Sequence, residues 1–201
     1  MSMAATACLM LLTLTITLTA SLIFPLVYGA DIESDKQALA ALKKSLVDPL
    51  NVLSNWDVAV SPCTWKFIEC ENNRVTSLSI GINNLGGNLA PELGGLSALV
   101  DLSIINNTIE GTIPEELGNL ENLRVLRLSD NLLSGKIPPS LGNLRSLVFA
   151  NLDHNELTGE VAYQIGNLPN MKVADFSGNN LCWDFWPKPN FLGDYTVCQA
   201  E

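Results

Sequence analysis

Apolar positions recur along this chain in steps of 24 residues, and the polar positions between them keep the same step. Leu96, Leu120, Leu144 and Leu168 form one series, and Leu99, Leu123, Leu147 and Met171 a second. Ile80, Ile104, Leu128, Leu152 and Phe176 form a third, and an asparagine travels with them at Asn83, Asn107, Asn131, Asn155 and Asn179. A period of this length marks a stacked solenoid, in which each repeat is one coil that buries its apolar face against its neighbours. In Leu123-Arg124-Val125-Leu126-Arg127-Leu128 the leucines point inward and the residues between them point out, as a short parallel strand requires. Asn131 follows at the corner, where a buried amide can bond the turn and the neighbouring coil. Leu133 and Ile137 turn inward again, Gly135 permits a backbone angle that other residues resist, and Pro138 suits an extended convex segment. The fourth coil breaks the pattern. Val161-Ala162 stands where earlier coils have Ile-Pro, and Ala150 replaces a strand leucine, which predicts looser packing there.

Before the first coil the period changes to that of a helix. Ser34 and Gln37 have the spacing of a capping box, and Leu39, Leu42 and Leu46 then share one face. Asp48-Pro49 is the expected stop, because the residue before proline avoids the helical region. The segment reads as a lid over the first coil, whose open end would otherwise expose unpaired strand groups.

Residues 1–29 contain no charged side chain, and the apolar run from Leu9 ends at Val27-Tyr28-Gly29, just ahead of Asp31, Glu33 and Asp35. These flanks fit a cleaved signal peptide; an uncleaved anchor is the alternative. The chain carries 11 Lys plus Arg against 21 Asp plus Glu, a net charge of −10. Nucleic acid and anionic lipid are therefore unfavourable partners, and no stable membrane insertion is expected once the signal is cleaved. Beyond Cys8 the chain has Cys63, Cys70, Cys182 and Cys198. Stacked coils at strand spacing put the first pair about 20 Å from the second, whereas a disulfide needs Cα atoms within about 7 Å. Only the pairing Cys63–Cys70 with Cys182–Cys198 satisfies both conditions. Zinc is the rival reading, but no Cys-x2-Cys pair occurs, and the single histidine, His154, lies two repeats from either pair. No metal site and no cofactor are expected.

The pattern Leu-x-x-Leu-x-Leu-x-x-Asn-x-Leu-x-Gly-x-Ile-Pro, as in 123–138, resembles the plant-type extracellular leucine-rich repeat. The segment from Asp35 through Trp56, Cys63-Thr64-Trp65 and Cys70 resembles that family's N-terminal cap. Five coils and the stretch Leu89-Ala90-Pro91-Glu92-Leu93-Gly94 are similar to the small secreted leucine-rich-repeat proteins and to the ectodomains of the somatic-embryogenesis receptor kinases. The resemblance implies an α/β leucine-rich-repeat solenoid with short parallel strands on its concave face. Its expected divisions are a signal at 1–29, a cap at 30–73, the solenoid at 74–181 and a disulfide-closed C-terminal cap at 182–201. It also implies an extracellular recognition module in plant defence or developmental signalling, a soluble co-receptor-like partner of receptor-kinase ectodomains or peptide–receptor complexes. Inhibition of a cell-wall hydrolase is the alternative. Those co-receptors carry an aromatic and a histidine where this chain has Lys66 and Phe67, and tyrosines where it has Asp101 and Ile105.

Outward strand positions define the candidate contact surface: Asp101, Ser103 and Ile105; Val125 and Arg127; Phe149, Asn151 and Asp153; Val173 and Asp175. Ile105, Val125, Phe149 and Val173 are apolar where alternation predicts solvent, so they are read as a stripe for a protein partner. The alternative is scattered surface apolar residues of no consequence. Asn106-Asn107-Thr108 is a glycosylation sequon, with Asn106 the acceptor. Trp183, Phe185, Trp186 and Phe191 are expected to cover the last coil. Catalysis is not expected: His154 is the only base for a Ser–His–Asp set, no strained nucleophile turn accompanies Ser129 or Ser177, and Asp153 and Asp175 lie on an open face.

Overall fold

The computed structural model describes residues 31–183 and 191–192. The expected signal, Cys198, Phe185 and Trp186 lie outside them. The chain opens with helix α1 (Ile32–Ser45) and then lays down two strands per coil. One set pairs into a seven-stranded sheet: β2 (Ile68–Glu71), β3 (Arg74–Ile80), β5 (Asp101–Ile104), β7 (Val125–Arg127), β9 (Phe149–Asn151), β11 (Val173–Asp175) and β13 (Phe191–Leu192). The other forms a six-stranded sheet: β1 (Leu46–Val47), β4 (Gly86–Asn88), β6 (Thr108–Thr112), β8 (Leu132–Gly135), β10 (Glu156–Glu160) and β12 (Asn180–Cys182). A short helical turn closes each coil, at Pro91–Gly95, Glu115–Asn119, Pro139–Asn143 and finally α2 (Tyr163–Gly166). Strands of successive coils run parallel and in register, with Leu102 opposite Leu126 and Leu126 opposite Ala150. The 24-residue period is thus the length of one coil.

The sequence pattern predicts strands on one face only and leaves the segment around Pro138 as merely extended. The second sheet comes from the stretch just after each corner asparagine, where Gly111, Gly135 and Gly159 take positive φ. Glycine has another task in the closing turns. A Cβ at Gly118 would lie 2.5 Å from the Ser140 carbonyl oxygen of the next coil, so close stacking of the turns requires its absence.

The corner asparagines do what the pattern predicts, with one geometry repeated. Asn131 Oδ1 accepts from Ile109 N–H in the coil before, and its Nδ2 donates to the carbonyls of Ile104, Leu128 and Ser129. Asn155 repeats the set one coil on, with Leu133 N–H and the carbonyls of Leu128, Leu152 and Asp153. Asn179 does so again with Leu157 N–H. Inside the stack the inward leucines and isoleucines form one continuous core from α1 to Trp183. Ala150 faces Ala174 across the strands, and the larger Phe176 and Trp183 pack together beyond them at 5.7 Å between ring centroids.

The cap ends both sheets with antiparallel strands, β1 on β4 and β2 on β3, so neither first edge is left unpaired. Two expectations about α1 are corrected. Its N-cap is Asp31, whose carboxylate accepts from Glu33 and Ser34 N–H; Ser34 lies inside the first turn and donates its hydroxyl to the Asp31 carbonyl. Aspartate is as good a cap as serine and comes first in the chain. The helix also ends at Ser45, ahead of Asp48-Pro49, because Leu46 and Val47 leave it to pair with Gly87 and Gly86. Asp48 instead accepts from Val52 and Leu53 N–H in the following turn. Trp56 and Trp65 stack at 5.3 Å, each indole donating to a carbonyl, and Cys63 is bridged to Cys70 with Cα atoms 5.5 Å apart. Cys182 is also disulfide-bonded, and its expected partner Cys198 lies outside the described residues.

One cap feature has no signal in the pattern. Asp35 is fully buried and receives two bonds from Arg74, from Nε and Nη2 at 2.8 Å each, and a third from Val75 N–H at 2.9 Å. The guanidinium is held more firmly charged by Asp35, and its Nη2 also donates to Ser97 in the next coil.

Candidate functional site

Register sorts the outward side chains of the seven-stranded sheet into rows that cross the coils. Asp101, Val125, Phe149 and Val173 are direct partners in one row. Ser103, Arg127, Asn151 and Asp175 form the next, two residues further along each strand. Ile105 and Asp153 begin a third row at the strand exits. Three of the four apolar residues expected to form a stripe therefore stand side by side at about 4.8 Å intervals. Ile105 does not join them: four residues along the strand place it about 13 Å away. Alternation marks which residues face outward but not which outward residues are neighbours, and that is why the single stripe divides.

Exposure divides the set again. Phe149 is the most open of the apolar row at 37%, with Val125 and Val173 half-buried beside it. Ser103 is buried, and its hydroxyl donates to the Asp101 carboxylate. Asp101 also faces Arg127 at 3.7 Å, so these two charges border the row as a pair. Asp175 accepts from the Ser177 N–H and hydroxyl.

The strand exits are acidic. Asn106, Asp130 and His154 occupy equivalent places with positive φ, and all three are exposed. Asn106, the expected glycosylation position, stands beyond Ile105 and away from the apolar row. His154 Nδ1 lies 2.9 Å from Asp153 Oδ2 and 4.0 Å from Asp130 Oδ1. The hydrogen bond to Asp153, then its charge, raise the His154 pKa above the ordinary histidine value. The protonated ring is the favoured partner, so its contribution is complete below the unfolded value of about 6.5 and is lost as pH rises through the higher folded value. NMR titration should place the His154 midpoint above about 6.5, and Asp153→Asn should lower it. An unchanged midpoint in that variant would remove Asp153 as the cause.

Among the described residues no group of three His, Cys, Asp or Glu side chains is placed to hold a metal, and no helix is long and apolar enough to cross a membrane.

A stack of in-register parallel coils with an asparagine at each corner, buried at Asn107, Asn131 and Asn155, defines a leucine-rich-repeat solenoid. The chain belongs to that family: residues 32–71 match the leucine rich repeat N-terminal domain, and 98–120 and 122–144 match the leucine rich repeat itself. It is 47% identical over 81 residues to leucine-rich repeat protein 1 of Arabidopsis thaliana, an alignment covering 39% of this chain and 37% of that protein. The match thus spans little more than a third of that relative. The BIR2 ectodomain of Arabidopsis thaliana is similar in structure, with a TM-score of 0.70 and 31% identity over 76% of this chain and 83% of that one. A chain of the BIR3–SERK2 complex from the same plant gives a TM-score of 0.72 and 28% identity, covering 83% of this chain and all of that one.

Proposed function

We propose that this chain is a secreted protein-binding module that engages the ectodomain of a plant receptor kinase, or such a receptor with its bound peptide, in defence or developmental signalling. The observation that carries the reading is the apolar row Val125, Phe149 and Val173 on the open sheet, bordered by the Asp101–Arg127 pair. An exposed aromatic between two valines, with charges at the rim, has the composition of an interface centre. Likeness over the whole length of a chain from the BIR3–SERK2 complex supports the same class of partner. In this reading the chain acts by binding rather than by catalysis, and a glycan on Asn106 leaves the apolar row uncovered.

The test is capture of receptor ectodomains from apoplastic extract by the tagged protein. Phe149→Asp should weaken capture about 30-fold, the loss of a hot spot worth roughly 2 kcal/mol. Leu132→Asp, at an exposed position on the other sheet, should leave it unchanged. A cell-wall hydrolase as the dominant captured protein, or equal capture by both variants, overturns the proposal.

A further inference from the structure

The second coil carries two adjacent asparagines in opposite circumstances. Asn107 is the buried corner amide: its Oδ1 accepts from Asn83 and Leu85 N–H, and its Nδ2 donates to the Gly81 and Ile105 carbonyls. Asn106 is exposed at a φ of 53°, with its backbone N–H bonded to the Ser129 carbonyl. Its side-chain amide makes no hydrogen bond among the described residues. Asn106-Asn107-Thr108 is the one Asn-x-Ser/Thr sequence in the chain, so the sequon reads the amide that the fold leaves free. The equivalent place one coil earlier is Ile82, and one coil later Asp130. Asn107 fixes the position of Ile82, because its side chain bonds the residues on both sides, Gly81 at 2.8 Å and Asn83 at 3.2 Å. The backbone of Ile82 therefore lies about 4.8 Å, one strand spacing, from that of Asn106. At 81% it is the most exposed large apolar side chain among the described residues. Ile105, half-buried, lies beside Gly81, where an added Cβ would meet nothing within 4 Å. The two isoleucines thus border open space over bare backbone. A lone exposed isoleucine needs no partner; what distinguishes Ile82 is the sugar acceptor next to it.

We infer that the first sugar of an Asn106 glycan seats on Ile82 and Ile105, so that the chain's own glycan covers this apolar corner. N-acetylglucosamine has the matching chemistry. One face of its ring and its acetyl methyl present C–H groups, while its hydroxyls lie at the rim and stay in water. Covering Ile82 removes apolar surface from water, which favours the seated sugar over one extended into solvent. The other flank is less suited. Asp130 and Asp153 there are arranged around His154, and a ring face laid on them displaces hydration without replacing its hydrogen bonds. The arrangement belongs to this coil alone: the equivalent places in the next three coils hold Asp130, His154 and Gly178, and none begins a sequon. The inference does not depend on the receptor-binding reading, because the row of Val125, Phe149 and Val173 lies elsewhere on the sheet.

The test is a double-mutant cycle on the full chain secreted by plant cells, its glycan trimmed enzymatically to the single N-acetylglucosamine. Mass mapping must first find that sugar on Asn106. Asn106→Gln supplies the bare form; Thr108→Ala is a poorer choice, since the Thr108 hydroxyl also donates to the Leu85 carbonyl. With Ile82 present, the sugar should raise the folding equilibrium constant about fivefold, read by urea denaturation. With Ile82→Ser that gain should vanish. Ile82 is exposed, so its replacement removes the contact without emptying the core. A nuclear Overhauser effect between the acetyl methyl and the Ile82 methyls should accompany the gain. Absence of sugar on Asn106, an equal gain with and without Ile82, or a gain abolished by Asp130→Ala instead overturns the inference. None of these outcomes touches receptor capture through Phe149, so the two readings fail separately.

Discussion

Asp35→Ala should cost the protein about 3–5 kcal/mol of stability, the range for breaking a buried ion pair by removing one partner. The substitution leaves the Arg74 guanidinium, itself only 22% exposed, without its bidentate acceptor. It also strips Val75 N–H, on a fully buried residue, of its side-chain acceptor. The three bonds join the first turn of α1 to the start of β3 across about 40 residues of chain, so their loss loosens the seal on the first coil. Asp35→Asn separates charge from shape, because its carbonyl can still accept from Val75 while its amide opposes the guanidinium. It should fall between the wild type and the alanine variant. Urea denaturation of the three proteins measures the order. A loss below about 1 kcal/mol for Asp35→Ala would mean that the cap is held by its leucines and tryptophans and that the ion pair only sets its register.

That pair also marks where sequence reading stops. The coil is legible because its determinants are periodic and local: the leucine series, the corner asparagines and the Cys63–Cys70 bridge all follow from spacing and elementary geometry. Asp35 and Arg74 carry no such mark, since neither is apolar or periodic and their meeting is a product of the folded cap. The pattern misplaces the end of α1 for a similar reason. Leu46 suits the helix face, yet antiparallel pairing with Gly87 takes it out of the helix. On the open sheet, alternation finds the outward positions strand by strand, whereas their neighbours are set by register between coils. Hence apolarity alone groups Ile105 with a row it does not touch.

Asn131→Ala should destabilise the protein by about 3–5 kcal/mol, although no core volume beyond a small amide is removed. The side chain makes four bonds, and the geometry lets no other group replace them. Ile109 N–H, on a residue 1% exposed, loses its acceptor, and an unsatisfied buried donor costs about 1–3 kcal/mol by itself. The carbonyls of Ile104, Leu128 and Ser129 lose a shared donor at the point where the chain leaves one sheet for the other. Aspartate at this position is no remedy, because it keeps the acceptor but aims a second oxygen at three carbonyls. The equivalent change at Asn179 should cost less, about 1–2 kcal/mol, since that asparagine is half-buried in the last coil and its bonds face solvent more readily. Hydrogen exchange gives the sharper reading, because it reports the Ile109 amide directly. If the corner amide holds neighbouring coils together, Asn131→Ala must release the protection of Ile109 in the preceding coil while leaving Leu157, served by Asn179, protected. Loss of protection at both sites together would mean that the stack unfolds as one unit, and that the asparagines act through global stability instead of as separate ties between adjacent coils.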